Sequence, residues 1–239
     1  MDPSSLTGRG GIEVVDLRNP RHLRTATTLD LGQVVTDIAL KRGRLIAAHP
    51  DGSLTVLDVR DPNSPRITGR LAGGGSTSTD PPARTPRVAL SADGRLAYLV
   101  RSDVGSGGNL SARERGTLTL VDLQDATQPR VLSQLTFARS GGVELPITVR
   151  GTYAVILAGG TGDVLIVDAT EPARPAVIFR QALSPDVWNS GLALGSNHVY
   201  VAANEDGLMI YRLPPVLHSV CGGTSAVSQG YRLENNRKR

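Results

Sequence analysis

The 239-residue chain is 39% hydrophobic and 20% charged, ordinary values for a globular protein of one large domain or two small ones. Aromatic residues make up only 3%, which argues against a base- or sugar-stacking platform, and most of the net charge of +4 lies in the last nine residues, where Arg232, Arg237, Lys238 and Arg239 stand against Glu234, so no basic face for nucleic acid is expected. No apolar run approaches the ~20 residues of a membrane helix, so no membrane insertion is expected, and the lone Cys221 can form neither an intrachain disulfide nor a multi-cysteine zinc site.

Residues 1–10 carry no apolar stretch of the secretory type and are expected to be disordered. The chain then settles into a repeat. GIEVVD ending at Asp16 is followed by GSLTVLD ending at Asp58, GTLTLVD ending at Asp122 and GDVLIVD ending at Asp168. GLMIYR, ending at Arg212, keeps the pattern and loses the Asp. Apart from one longer interval between Asp58 and Asp122, the period is roughly 40–45 residues, the length of a four-stranded propeller blade.

The first repeat supplies two strands, at 12–16 and 23–29. The second supplies four, at 34–40, 44–48, 54–58 and 66–71; we label such a set a, b, c and d. The third places them at 87–90, 96–100, 117–122 and 130–135, and the fourth at 146–149, 153–157, 164–168 and 176–180. The fifth has three, at 191–194, 199–202 and 208–211. The expected fold is all-β: a partial β-propeller of about five four-stranded blades over residues 11–213, open or fragmentary, with incomplete end blades. Residues 214–239, led by Pro214 and Pro215 and ending polar and basic, are expected to be a disordered tail.

Each Asp is followed by prolines. Pro62 and Pro65 follow Asp58, Pro172 and Pro175 follow Asp168, Pro129 follows Asp122, and Pro20 follows Asp16. Proline cannot donate to a strand ladder, so these mark the c→d turns, and the Asp side chains are read as turn acceptors rather than catalytic groups.

This pattern, apolar-x-apolar-Val-Asp followed by Pro-x-x-Pro, resembles the LVIVD repeat, a bacterial and archaeal β-propeller repeat of large surface or secreted proteins. The resemblance implies a propeller scaffold and a secreted or cell-surface setting. It carries no general catalytic motif. Residues 89–100, ALSADGRLAYLV, are more weakly similar to YVTN and WD-type propellers.

Motifs for chemistry are sparse. No P-loop or G-x-S-x-G elbow is present, and the glycine-rich 159–162 precedes a strand rather than a helix. His22, His49, His198 and His218 are scattered, and His218 with Cys221 has no second ligand pair. The positions that would line a channel, Asp37, Arg87, Pro146 and Gly191, make a poor metal cage. No metal and no cofactor are expected. Asn109-Leu110-Ser111 matches a glycosylation sequon that occurs readily by chance.

The longer interval carries about twenty extra residues, in 73–84 between d and a, and in 102–115 between b and c. In an up-and-down blade these connections share one face, which also receives His49, Trp188, Asn204 and Glu205, with Arg84, Arg113 and Glu114 flanking the insertions. The expected function is a non-enzymatic interaction scaffold that binds a protein or peptide partner there. The alternatives are a hydrolase or lyase at the propeller mouth, told apart by carboxylates or histidines clustered at the channel, and a structural spacer.

Overall fold

The computed structural model describes residues 10–73, 86–103, 115–138, 145–158, 163–182, 191–202 and 207–213. Every regular element among them is a strand: β1 Gly11–Asp16, β2 Arg24–Asp30, β3 Asp37–Lys41, β4 Arg44–Ala48, β5 Leu54–Asp58, β6 Arg66–Leu71, β7 Arg87–Leu90, β8 Leu96–Asp103, β9 Arg115–Asp122, β10 Arg130–Ala138, β11 Ile147–Arg150, β12 Tyr153–Ala158, β13 Asp163–Asp168, β14 Ala176–Gln181, β15 Gly191–Leu194, β16 His198–Ala202 and β17 Leu208–Arg212. They form antiparallel sheets in chain order: β1-β2, then the four-stranded β3-β6, β7-β10 and β11-β14, then the three-stranded β15-β17. Among the described residues, the three middle blades are complete, the first shows c and d, the last shows a, b and c, and no sheet pairs a first-blade strand with a last-blade strand to close a ring.

Alternation along the strands builds the core. On β4 and β5, Leu45, Ala47 and Leu57 turn toward the first blade and pack with Leu31, while Ile46, Ala48, Leu54 and Val56 turn toward the third and meet Val88, Ala97 and Leu99. Strands β8 and β9 send Tyr98, Val100, Leu118 and Leu120 to the fourth blade, where they meet Ala154, Ile156, Leu165 and Val167. The intervening residues, Val155, Leu157, Val164 and Ile166, face Val199, Val201, Met209 and Tyr211 of the last blade. Strands b and c are thus buried on both faces, which is why they read as nearly continuous apolar runs. The a strands are innermost: β3 meets β7, β7 meets β11, and β11 meets β15.

Each c→d connection follows one plan. Asp16, Asp58, Asp122 and Asp168 accept the backbone N–H two residues on, at 3.0, 3.0, 2.9 and 2.8 Å. A β-turn follows, closed by His22 N to Asn19 O, Ser64 N to Asp61 O, Gln128 N to Asp125 O and Arg174 N to Glu171 O. Pro20, Pro62 and Pro172 hold the second position of these turns, where a fixed φ near −65° fits. The residue after the Asp, or after Arg212 in the last blade, donates to the a→b turn of its own blade: Val59 to Gly43 O, Leu123 to Arg95 O, Ala169 to Thr152 O and Leu213 to Asn197 O. The d strands also share a bulge, with Ala26, Thr68, Leu132 and Ile178 each left unpaired against the c strand.

The sequence boundaries shift by three residues at three strands: β8 runs on to Asp103, β10 runs on to Ala138, and β3 starts late. Residues 34–36 are not part of β3. The Val34 carbonyl accepts from the His49 ring instead, and the Thr36 hydroxyl donates to Pro86 O of the next blade at 3.0 Å. Blades also fit closely at the perimeter, since a Cβ added at Gly69 would lie 2.2 Å from the Ala126 carbonyl oxygen of the next blade.

Ile156 is 0% exposed at the centre of the interface between the third and fourth blades. Ile156→Ala is expected to destabilise the protein by about 2–5 kcal/mol in urea unfolding, because the cavity it leaves is walled by two sheets.

Candidate functional site

The strand order gives the arc two distinct ends. The b→c and d→a connections leave one end, and the a→b and c→d turns leave the other. The insertions read from sequence at 73–84 and 102–115 come down to 74–85 and 104–114, outside the described residues, since Gly73 is described, β8 runs to Asp103 and β9 starts at Arg115; by strand order they are d→a and b→c connections of the same end. Of the side chains assigned to that end from sequence, Trp188, Arg84, Arg113, Glu114, Asn204 and Glu205 lie outside the described residues.

His49 is described, and its assignment is corrected. It is 1% exposed. Its Nδ1 donates to the Val34 carbonyl at 2.8 Å, and Nε2 pairs with the Thr55 hydroxyl at 2.8 Å. That hydroxyl also accepts from Arg70 Nη1 at 3.2 Å. The short b→c loop explains the placement: His49 N donates to Ser53 O, Gly52 N donates to His49 O, and Gly52 has a φ of 79° that favours glycine. The loop folds back and turns the imidazole inward, where it holds the strand below it and cannot touch a partner.

At the inner strands, Asp37 Oδ2 accepts the Val88 N–H at 2.8 Å, and Asp37 lies 3.9 Å from Arg87 Nη1. This carboxylate ties one blade to the next. Among the described residues, no three His, Cys, Asp or Glu side chains converge as metal ligands would.

The turn end carries the repeat aspartates. Asp16 is paired with Arg18 and Asp58 with Arg60, each through Nε at 2.9 Å, and these guanidinium bonds hold both carboxyls down to about 2. Asp122 lies below the usual carboxylate range, first because of the Gln124 N–H and then because of Arg130, which approaches to 2.8 Å. Among the described residues, Asp168 accepts from Thr170, through its N–H at 2.8 Å and its hydroxyl at 2.6 Å. The turn-starting residues Asn19, Asp61 and Asp125 were missed from sequence, although an Asn or Asp directly before Pro20 and Pro62 is a turn signal.

Two larger open grooves stand out among the described residues, beside a third of 290 Å³ next to Arg44 and Ala126. One of 710 Å³ lies between β1 and β3, and Ile38 and Leu40 along it are exposed. The other, of 560 Å³, lies at the turn end between the third and fourth blades, with Tyr98, Asp93, Thr152 and Thr170 among its lining.

No family model matches the chain, and no curated protein matches it. Solved structures do. A chain of the mitotic checkpoint complex is 15% identical with a TM-score of 0.58, covering 87% of this chain and 58% of its own. The β-propeller domain of Cps50 (Swd1) from Myceliophteria thermophila is 10% identical with a TM-score of 0.55, covering 95% and 65%. The complex of KlAtg21 with the coiled-coil of AgAtg16 matches at 15% identity with a TM-score of 0.59, covering 86% and 60%. The fold is that of a β-propeller. The chain spans less than two thirds of the length of these neighbours.

A carboxylate whose pKa is depressed on folding adds stability above its unfolded pKa and loses it as pH falls through the folded value. Asp122→Asn keeps an acceptor for the Gln124 N–H and removes the charge that faces Arg130. We expect it to cost about 1 kcal/mol near neutral pH, and the gap to wild type to close as pH drops below the usual carboxylate range. Urea midpoints measured across acid and neutral pH check this.

Proposed function

We propose that the chain is a non-enzymatic β-propeller scaffold, built from LVIVD-like repeats, that takes a protein or peptide partner at its b→c and d→a end. The observation that carries this reading is topological. Antiparallel strand order sends both long insertions, 74–85 and 104–114, out of the same end of adjacent blades. Long connections on one face of a repeat array, held by a rigid scaffold, are the usual place for recognition. Their chemistry suits a macromolecule: Arg84, Arg113 and Glu114 give a mixed-charge rim, and Trp188 is the type of side chain enriched in binding hot spots. Protein partners are also the setting of two structural neighbours, one a chain of the mitotic checkpoint complex and the other solved with a coiled-coil.

The test replaces 74–85 and 104–114 with short turns and measures affinity for a partner isolated with the full chain and then purified. The trimmed protein is expected to unfold cooperatively as before and to bind at least about tenfold more weakly, a loss of ~1.4 kcal/mol. Unchanged affinity in a folded trimmed protein overturns the reading.

A further inference from the structure

The interblade crevices at the turn end are filled differently. Between the second and third blades, Arg44 Nη1 donates to Gly94 O at 2.8 Å and to Leu123 O at 2.7 Å. Between the fourth and fifth, the Arg150 guanidinium donates to the Gly195 and Ser196 carbonyls. In both, an arginine of one blade caps the a→b turn of the next. Among the described residues, no arginine of the third blade caps the a→b turn of the fourth in this way, although Arg95 and Arg130 line the crevice between them. Strand pairing sets Leu96 at the place of Arg44, since Arg44 is opposite Asp58 and Leu96 opposite Asp122. Ser91 stands where β11 ends in Arg150. The 560 Å³ groove is what remains.

The repeat is broken again on its floor. Tyr98 takes the strand position that Ile46 and Val155 hold in the blades on either side, facing Leu120 as they face Val56 and Ile166. It is 1% exposed and lines the groove. Burial pushes the phenol up to about 12, with Asp93 and Asp168 adding to the rise, so the hydroxyl is neutral and sits in a negative field. Around it, Arg130 pairs with Asp122, and Arg95 lies near Asp93 on the rim. Asp168 is the repeat aspartate left without a cationic side chain among the described residues, whereas Asp16, Asp58 and Asp122 each have an arginine. The turn end between these blades therefore lacks one guanidinium twice over, once as a crevice filler and once as a counter-ion.

We propose that this groove receives an arginine side chain from a peptide or protein partner. Gly151 and Ala169, which line it, stand where Gly94 and Leu123 offer their carbonyls to Arg44. The Tyr98 hydroxyl accepts from the incoming guanidinium, Asp93 on the lining and Asp168 just beyond it supply the negative field that already acts on Tyr98, and Leu96, Leu132 and Pro172 give the methylene stem an apolar wall. Guanidinium is more weakly hydrated than ammonium and forks its donors in a plane, so arginine is favoured over lysine. The site lies at the opposite end of the arc from the insertions and does not depend on the loop reading.

The test is an amide NMR titration of the intact, isotope-labelled protein with blocked Ala-Ala-Arg-Ala-Ala and its lysine and citrulline counterparts. Citrulline keeps the shape of arginine and lacks its charge. The arginine peptide is expected to give saturable shifts centred on Gly94, Gly151, Thr152 and Thr170, with the citrulline peptide at least about tenfold weaker. Tyr98→Phe keeps the packed ring and is expected to weaken binding about fivefold. Leu96→Arg supplies the missing arginine from within the chain, and is expected to abolish binding and raise the unfolding midpoint. The proposal is overturned if no arginine peptide saturates these amides, if citrulline binds as well as arginine, or if both Tyr98→Phe and Leu96→Arg bind as wild type does.

Discussion

Burial of strands b and c on both faces is the constraint from which the rest follows. A sheet that is apolar on both sides cannot stand in water alone, so each blade needs a neighbour on either flank. The four hydrophobic clusters lie between successive blades rather than inside any one of them. The end of the array shows the same rule in reverse. Where no a or b strand of the first blade stands among the described residues, Ile38 and Leu40 of the second are exposed.

Stacking alone would leave the blades free to slide, and polar links between backbones fix their register. The Asp37 carboxylate on the Val88 N–H, Arg44 on the Gly94 and Leu123 carbonyls, and Ser133 on the Pro172 carbonyl each join one blade to the next. Within a blade, the bond from the residue after the repeat Asp to the a→b turn brings both turns together at one end. One end of the arc is consequently rigid and repetitive, and the other is free to carry long connections.

The repeat made most of the fold legible. Period-2 alternation and the Asp-to-Pro spacing placed all the strands to within a few residues, because both report local backbone demands. What was not legible depends on three-dimensional neighbours. Val34 reads as a strand residue until His49 claims its carbonyl. His49 reads as a surface group until the Gly52 turn folds it inward. Arg44 and Leu96 look like interchangeable strand starts, and only the adjoining blade shows that one fills a crevice and the other leaves it open. Tyr98 looks like an ordinary apolar position until its hydroxyl is found inside.

The bulges at Ala26, Thr68, Leu132 and Ile178 bear on how copies of this protein meet in a crowded solution. The d strands form the outer circumference, and an unbroken strand there would offer a straight row of N–H and C=O groups for a foreign strand to zip onto. An unpaired residue at the same place in each kinks that row and breaks its spacing. The circumference is thereby made a poor template for fibre growth.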